Sequence, residues 1–157
     1  MKPPRFCPDC TAELAWIERA EDGGQKSRLR CTACEFTHWN NPTPVLAAVI
    51  ERDGYLLVTR RLEGTHLAGL WEFPGGKCEP EETHEACLTR ELLEELGADS
   101  EIGAELLVTE HAYPEKIVRL HFRSCILRSE PEPRLGQEMR WVQRTTLSTL
   151  AFPEADR

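Results

Sequence analysis

The sequence has no apolar run near the ~20 residues that a membrane-spanning helix requires, so no span is expected. Its first ten residues, MKPPRFCPDC, lack the apolar core of a secretory signal, and the expected compartment is the cytoplasm. Positive charge is in deficit: 19 Lys and Arg face 27 Asp and Glu, giving a net charge of −8 at pH 7. That balance excludes a general electrostatic attraction to nucleic acid. An acidic chain that handles an anionic small molecule instead needs cations to bridge the two. Internal repeats and long low-complexity tracts are also missing. At 157 residues with 40% hydrophobic content, one main domain and a small appendage are expected.

Cysteine is plentiful, with seven in the chain. An odd count in a chain read as cytoplasmic argues for metal binding plus spare thiols rather than a disulfide framework. Cys78, Cys87 and Cys125 are scattered, but Cys7-Pro-Asp-Cys10 and Cys31-Thr-Ala-Cys34 form two C-x-x-C pairs. Between them lies Glu21-Asp22-Gly23-Gly24, a hairpin turn that would bring the pairs together as one tetrahedral site. Residues 1–42 therefore read as a zinc ribbon with Cys7, Cys10, Cys31 and Cys34 as ligands of a structural Zn²⁺. A redox dithiol or an empty site is the alternative. A module of this size cannot bury enough surface to fold without the metal. Four thiolates leave no open position, so no chemistry is assigned to the ion, and His38 is read as a surface residue.

The most informative stretch runs from Gly75 to Ala98, GGKCEPEETHEACLTRELLEELGA. Thr83 is a suitable N-cap and Gly97 a suitable residue to end a helix. Ala86, Cys87, Leu88, Leu92, Leu93 and Leu96 supply its apolar positions. Glu91, Glu94 and Glu95 fall at i, i+3 and i+4, so three carboxylates crowd one strip, where like charges weaken a helix. A one-sided carboxylate cluster facing a Gly-rich turn suggests a site for hard divalent cations, Mg²⁺ or Mn²⁺.

The remaining chain alternates between strand and turn signals. Asn40-Asn41-Pro42-Thr43-Pro44 reads as a stiff linker. Val45–Glu51 and Tyr55–Arg61 flank Arg52-Asp53-Gly54, a hairpin signal. Ala104–His111 and Ile117–Leu127 read as strands, with Tyr113-Pro114-Glu115 between them. In the second, Val118, Leu120, Phe122 and Ile126 share one face, and Arg119, His121 and Arg123 share the other. That basic face is either a pocket wall or, with more weight, an exposed sheet face. His111 and His121 have no visible partner. Glu138–Gln143 is a last strand and Leu147–Leu150 a helical turn.

From Gly76 the chain reads Gly76, five residues, Glu82, seven residues, then Arg90-Glu91-Leu92-Leu93-Glu94-Glu95-Leu96-Gly97-Ala98. This resembles the Nudix box, G-x5-E-x7-R-E-U-x-E-E-x-G-U with U aliphatic, at every fixed position. Pattern alone indicates α+β. The resemblance implies a Nudix α/β/α sandwich with a mixed β-sheet over residues 43–157, behind the ribbon of 1–42. It also implies hydrolysis of a nucleoside diphosphate linked to a further group. Glu94 and Glu95, with the backbone carbonyl of Gly76, would then hold Mg²⁺ or Mn²⁺. Glu91 would be general base or further ligand, Arg90 would hold the carboxylates, and Glu82 would support the site. Among Glu82, Glu91 and Glu95 the resemblance leaves base and ligand undivided. MutT-like members carry a Glu where this chain has Leu135, and Glu138 is the substitute within reach in sequence.

Thr59-Arg60-Arg61, Leu70-Trp71-Glu72-Phe73-Pro74-Gly75-Gly76-Lys77 and Phe152-Pro-Glu-Ala-Asp156 resemble the MutT-type nucleoside triphosphate pyrophosphohydrolases. They imply substrate contacts at Arg61, Glu72 and Asp156, and products NMP and pyrophosphate. The ribbon resembles that of dinucleotide pyrophosphatases, so ADP-ribose, FAD or NADH is the alternative substrate class. The SQPWPFP-type motif of NADH cleavage is absent. A nucleotide-sensing regulator without catalysis is a third reading, against which stands the complete set of box carboxylates. A nucleotide is the expected partner, and homodimers occur in the family.

Overall fold

The computed structural model describes residues 3–39, 41–113 and 116–156. Its first unit is a three-stranded antiparallel sheet of β1 (Leu14–Glu21), β2 (Gly24–Cys31) and β3 (Thr37–His38), in that order. β1 and β2 pair from Leu14↔Cys31 to Glu21↔Gly24. The turn between them is where the Asp-Gly-Gly signal predicts it, with Gly23 at φ +91°.

The second unit is a seven-stranded mixed sheet. Its strands are β4 (Thr43–Arg52), β5 (Tyr55–Arg60), β6 (Trp71–Glu72), β7 (Gly75–Lys77), β8 (Ser100–Tyr113), β9 (Lys116–Leu127) and β10 (Met139–Gln143). The main path runs β10-β5-β4-β9-β8, with β6 on β5 and β7 on β4. Among the described residues, only β4 and β9 run parallel. The β4–β5 hairpin turns at Asp53 and Gly54, both at positive φ, as a tight hairpin requires. Thr43 and Pro44 are already in β4, paired with Val118 and Arg119, so the expected linker is shorter than its prolines suggest. Asn40 of that linker, like Pro114 and Glu115 of the β8–β9 connection, lies outside the described residues.

Helix α1 (His84–Leu96) covers one face of the sheet. Thr83 Oγ1 accepts the Ala86 N–H at 3.1 Å, and Gly97, at φ 57°, donates its N–H back to Leu92 and Leu93. Leu88, Leu92 and Leu96, spaced by one helical turn, are fully buried against Leu46, Ala48, Ile50, Leu57 and Cys125. Each contributes of order 2 kcal/mol by transfer from water. Leu93, expected on the apolar face, is 54% exposed, because it lies off the stripe that Leu88, Leu92 and Leu96 define.

The opposite face packs Ala47, Val118, Leu120 and Phe122 against Ala155, with Phe73 set between Phe122 and Phe152 at ring distances of 6.0 and 5.7 Å. The covering layer there is made of 3-10 turns, Arg144–Thr149 and Glu154–Asp156. The first of these begins three residues before the predicted turn at Leu147. Ile126 keeps the parity of Phe122 but lies beyond this layer, and it is 55% exposed. The basic face expected on β9 is only partly open: Arg119 is exposed, whereas His121 and Arg123 are largely covered. Arg123 is tucked beneath α1, donating to Gly103 O and Glu85, while Arg119 pairs with Glu110. His111 also has a partner, Glu154 at 3.6 Å.

Candidate active site

Strand β4 changes partner along its length, and this change creates the site. At Glu51 and Arg52 it pairs with β5; from Val45 to Ala47 it pairs with β7 instead. β5, released from β4, carries β6 and β10 away from it. A cavity of about 380 Å³ fills the resulting wedge. Thr59, Arg61 and Glu72 line one wall, and Val45, Ala47, Val118 and Leu120 another. Gly75, Gly76, Lys77 and Glu95 close one end, while Tyr113, Ala155 and Asp156 also face the space.

The glycine pair makes the carboxylate end possible. At Gly75, φ is +154° and a Cβ would stand 1.9 Å from the carbonyl oxygen of Leu46. At Gly76 a Cβ would meet the carboxyl group of Glu91 at 2.4 Å. The Gly turn is thus pressed between β4 and the carboxylate strip of α1.

The carboxylates of that strip differ in environment. Glu95 accepts from the Gly75 N–H at 3.4 Å, and burial, with repulsion from Glu72 and Glu91, pushes it up to about 8. Glu72 is pushed up to about 7, chiefly by burial, against the attraction of Arg61 at 2.8 Å. Burial also raises Glu91. Glu94 is more open, its side chain 58% exposed. Arg90 links the strip: it forks onto Glu82 at 2.8 and 3.0 Å, and reaches Glu91 at 3.0 Å, Glu94 at 3.2 Å and the carbonyl of Lys77 at 3.1 Å. Those bonds hold Glu82 down at about 2.

The oxygens of Glu91, Glu94 and Glu95 do not converge within 4.8 Å of one another, since Glu91 and Glu94 lean to Arg90 while Glu95 reaches Gly75. Even so, the donor set fits a hard divalent cation. It consists of oxygens only, and two of its carboxylates, Glu91 and Glu95, are raised by burial and by neighbouring carboxylates, a cost that a cation beside them would offset.

Asp156 is docked despite its place near the end of the sequence. Its N–H donates to Pro153 O at 3.0 Å, its side chain faces the cavity, and burial pushes it up to about 6. Arg61, Glu72 and Asp156 therefore share one cavity with Glu95 and Gly76. Glu138 is placed elsewhere. Its carboxylate is taken by Arg140 at 2.7 Å and Arg60 at 3.4 Å, and Leu135 and Gln137 face the cavity instead. Gln137 is a residue that sequence reasoning missed. It is buried, and its Nε2 donates to the Glu95 carbonyl at 2.9 Å, while Leu135 N–H bonds to its Oε1. No local pattern marks a Gln that clamps a loop to the end of a helix.

In the first unit, Cys7, Cys10, Cys31 and Cys34 bring their sulfurs within 4.8 Å of one another. Neighbouring pairs lie 3.4 to 3.7 Å apart. A zinc–sulfur distance of ~2.3 Å in a tetrahedron places sulfurs ~3.8 Å apart, so the cluster fits Zn²⁺. Backbone N–H groups of Ala33 and Cys34 point at Cys31 Sγ at 3.3 Å, and that of Asp9 at Cys7 Sγ at 3.4 Å. The Ala33 N–H bond is the largest cause that brings Cys31 down to about 6. His38 stands outside this cluster.

Comparison with known proteins follows the two units. A family model described as NUDIX domain matches residues 45–157, and a zinc-ribbon model described as Nudix N-terminal matches residues 5–40. The 8-oxo-dGTP diphosphatase of Haemophilus influenzae is 40% identical over 117 residues, covering 71% of this chain and 84% of that protein. The CTP pyrophosphohydrolase of Escherichia coli is 44% identical over 77 residues, 49% of this chain. The match spans 57% of that enzyme, a little over half its length. Among solved structures, a NUDIX hydrolase from Nitrosomonas europaea superposes with a TM-score of 0.72 at 25% identity, covering 98% of this chain and 86% of the other.

Proposed function

Since the chain belongs to the Nudix family, we propose that it hydrolyses nucleoside triphosphates to the monophosphate and pyrophosphate, with the box carboxylates as its catalytic centre. One observation carries this reading: a single cavity joins the Gly75–Gly76–Glu95 end to the Arg61, Glu72 and Asp156 end. A polyphosphate and a base attached to one sugar require two such ends in one space. The activities of the relatives, on 8-oxo-dGTP and CTP, support the same substrate class.

Glu94 and Glu95, the Gly76 carbonyl and Glu91 would hold Mg²⁺ or Mn²⁺, which would supply charge neutralisation and Lewis acidity at the phosphate oxygens. The phosphates lie towards Gly75, Gly76 and Lys77, where the flat Gly backbone permits close approach. Of Glu91 and Glu95, the carboxylate that the ion leaves unbound would take the proton of the attacking water. Arg90 keeps Glu91 and Glu94 oriented through its fork onto Glu82. Leu135 replaces an acid on the loop, and Glu138 is occupied by its two Arg partners, so α1 carries the acidic groups of the reaction. At the other end Asp156 and Glu72, flanking Arg61, offer acceptors to the N–H edge of a base. Residues 1–42 form a structural zinc module and residues 43–157 the catalytic domain. The chain works in the cytoplasm.

The test is turnover of a panel of dNTPs, 8-oxo-dGTP, CTP, ADP-ribose, FAD and NADH with Mg²⁺, products being separated by ion exchange. Pyrophosphate plus one monophosphate is expected, and Glu94→Gln with Glu95→Gln should lower the rate about 100-fold or more. AMP released from ADP-ribose or FAD would replace this substrate class by the dinucleotides that the ribbon suggests. Equal turnover in the double variant would refute the carboxylate site.

A further inference from the structure

A further cluster of metal-ligating groups is made of residues outside the four cysteines and the carboxylate strip of α1. His84, Glu105 and His121 each place one donor atom within 4.8 Å of the other two. They come from three elements: the first residue of α1, the edge strand β8 and its neighbour β9. The His84 and His121 rings are 4.4 Å apart, and His121 Nδ1 lies 2.7 Å from Glu105 Oε1. The hydrogen bond to His121 holds Glu105 below the usual carboxylate range.

A local irregularity builds this arrangement. β8 opposes Glu105 to Arg123 and Val108 to His121, so it spends one residue more than β9 between the two pairs. That bulge brings Glu105 diagonally onto His121. Bulges of this kind re-aim side chains and are over-represented beside functional sites. The neighbouring cation, Arg123, is held by the Gly103 carbonyl and by Glu85. Its charge is thereby partly offset. The His121 side chain is only 12% exposed, and Glu105 at 43% leaves the cluster open on its solvent side.

We propose that His84, Glu105 and His121 form a site for a divalent transition-metal ion, Zn²⁺ or Ni²⁺, separate from the four-cysteine cluster and from the Nudix carboxylates. Two imidazoles and one carboxylate favour such ions over Mg²⁺, which prefers oxygen ligands and retains its water. His84 precedes Glu91 by two helical turns, about 10 Å along the axis, so an ion here does not compete for the catalytic strip. Bound, it ties the start of the Nudix helix to two strands of the sheet.

Full-length protein with zinc in its ribbon would be titrated with Ni²⁺ by calorimetry in excess Mg²⁺. Wild type is expected to take up one equivalent with micromolar or tighter affinity, and its thermal midpoint should rise. His84→Asn combined with His121→Asn should lose that binding at least tenfold and lose the Ni²⁺-dependent rise, with circular dichroism showing the fold retained. Glu105→Gln, which disturbs packing least, should also weaken binding tenfold or more. Absence of an equivalent in the wild type overturns the proposal. So does undiminished binding in either variant, which would place the ion on the thiols or elsewhere.

Discussion

Arg61 carries one charge between two acids, Glu72 and Asp156, and both acids stay raised because burial outweighs its attraction. For Asp156 this has a consequence in solution. The folded chain holds the Asp156 proton until about pH 6, whereas an unfolded Asp releases it near ~4. Folding is therefore favoured while the group is protonated: the contribution is complete below about pH 4 and is lost as pH rises through about 6. Two units of difference correspond to at most about 3 kcal/mol. Asp156→Asn, which cannot titrate, should lack this loss. Urea midpoints followed from pH 4 to 7 should show wild type falling relative to the variant by of order 2 kcal/mol. Parallel curves would mean that Asp156 faces solvent rather than the cavity.

The short strand β7 and helix α1 depend on each other through the glycine turn. β7 can lie on β4 only because Gly75 has no Cβ to strike the Leu46 carbonyl, a backbone atom that cannot move aside cheaply. Gly75→Ala should therefore lift β7 from β4 and lower stability by more than about 2 kcal/mol. Gly64→Ala is the reference: its φ, +82°, is also positive, but nothing stands within 4 Å of its Cβ. It should cost about 1 kcal/mol. Denaturant unfolding of the two variants would decide, and equal losses would show that close approach is not what Gly75 provides. Helix α1, in contrast, carries its own start and stop in Thr83 and Gly97, and it was readable for that reason.

The two units have separate means of support. The three apolar clusters among the described residues draw on positions from Val45 onwards. Leu29, Cys7 and Cys31 are the buried apolar residues of the ribbon, too few to hold three strands without an ion. Removing zinc by chelation, or replacing Cys7 and Cys10 by Ser, should expose residues 1–40 to limited proteolysis. Cooperative unfolding of the remainder and its Mg²⁺-dependent hydrolysis should persist within about threefold, a change of under 1 kcal/mol. Loss of both together would mean that the ribbon holds up the catalytic domain.

Spacing along the chain was enough to reveal the box, the ribbon cysteines, the capped helix and the β4–β5 hairpin. In each, the residues that mark the feature stand within a few positions of one another, as in each C-x-x-C pair, or repeat with the period of their element. Contacts between distant segments left no such trace. The docking of Asp156 beside Arg61, the pairing of Glu138 with Arg60, and the clamp of Gln137 on Glu95 join segments 42 to 95 residues apart. His121 seemed unpartnered because its partners arrive from a bulge in β8 and from the first residue of α1. The resemblance to the box names the side chains proposed for the chemistry. The change of partner along β4 opened the space that Gly76 and Glu95 share with Arg61, Glu72 and Asp156, since a strand that leaves one neighbour for another must let the first one splay away.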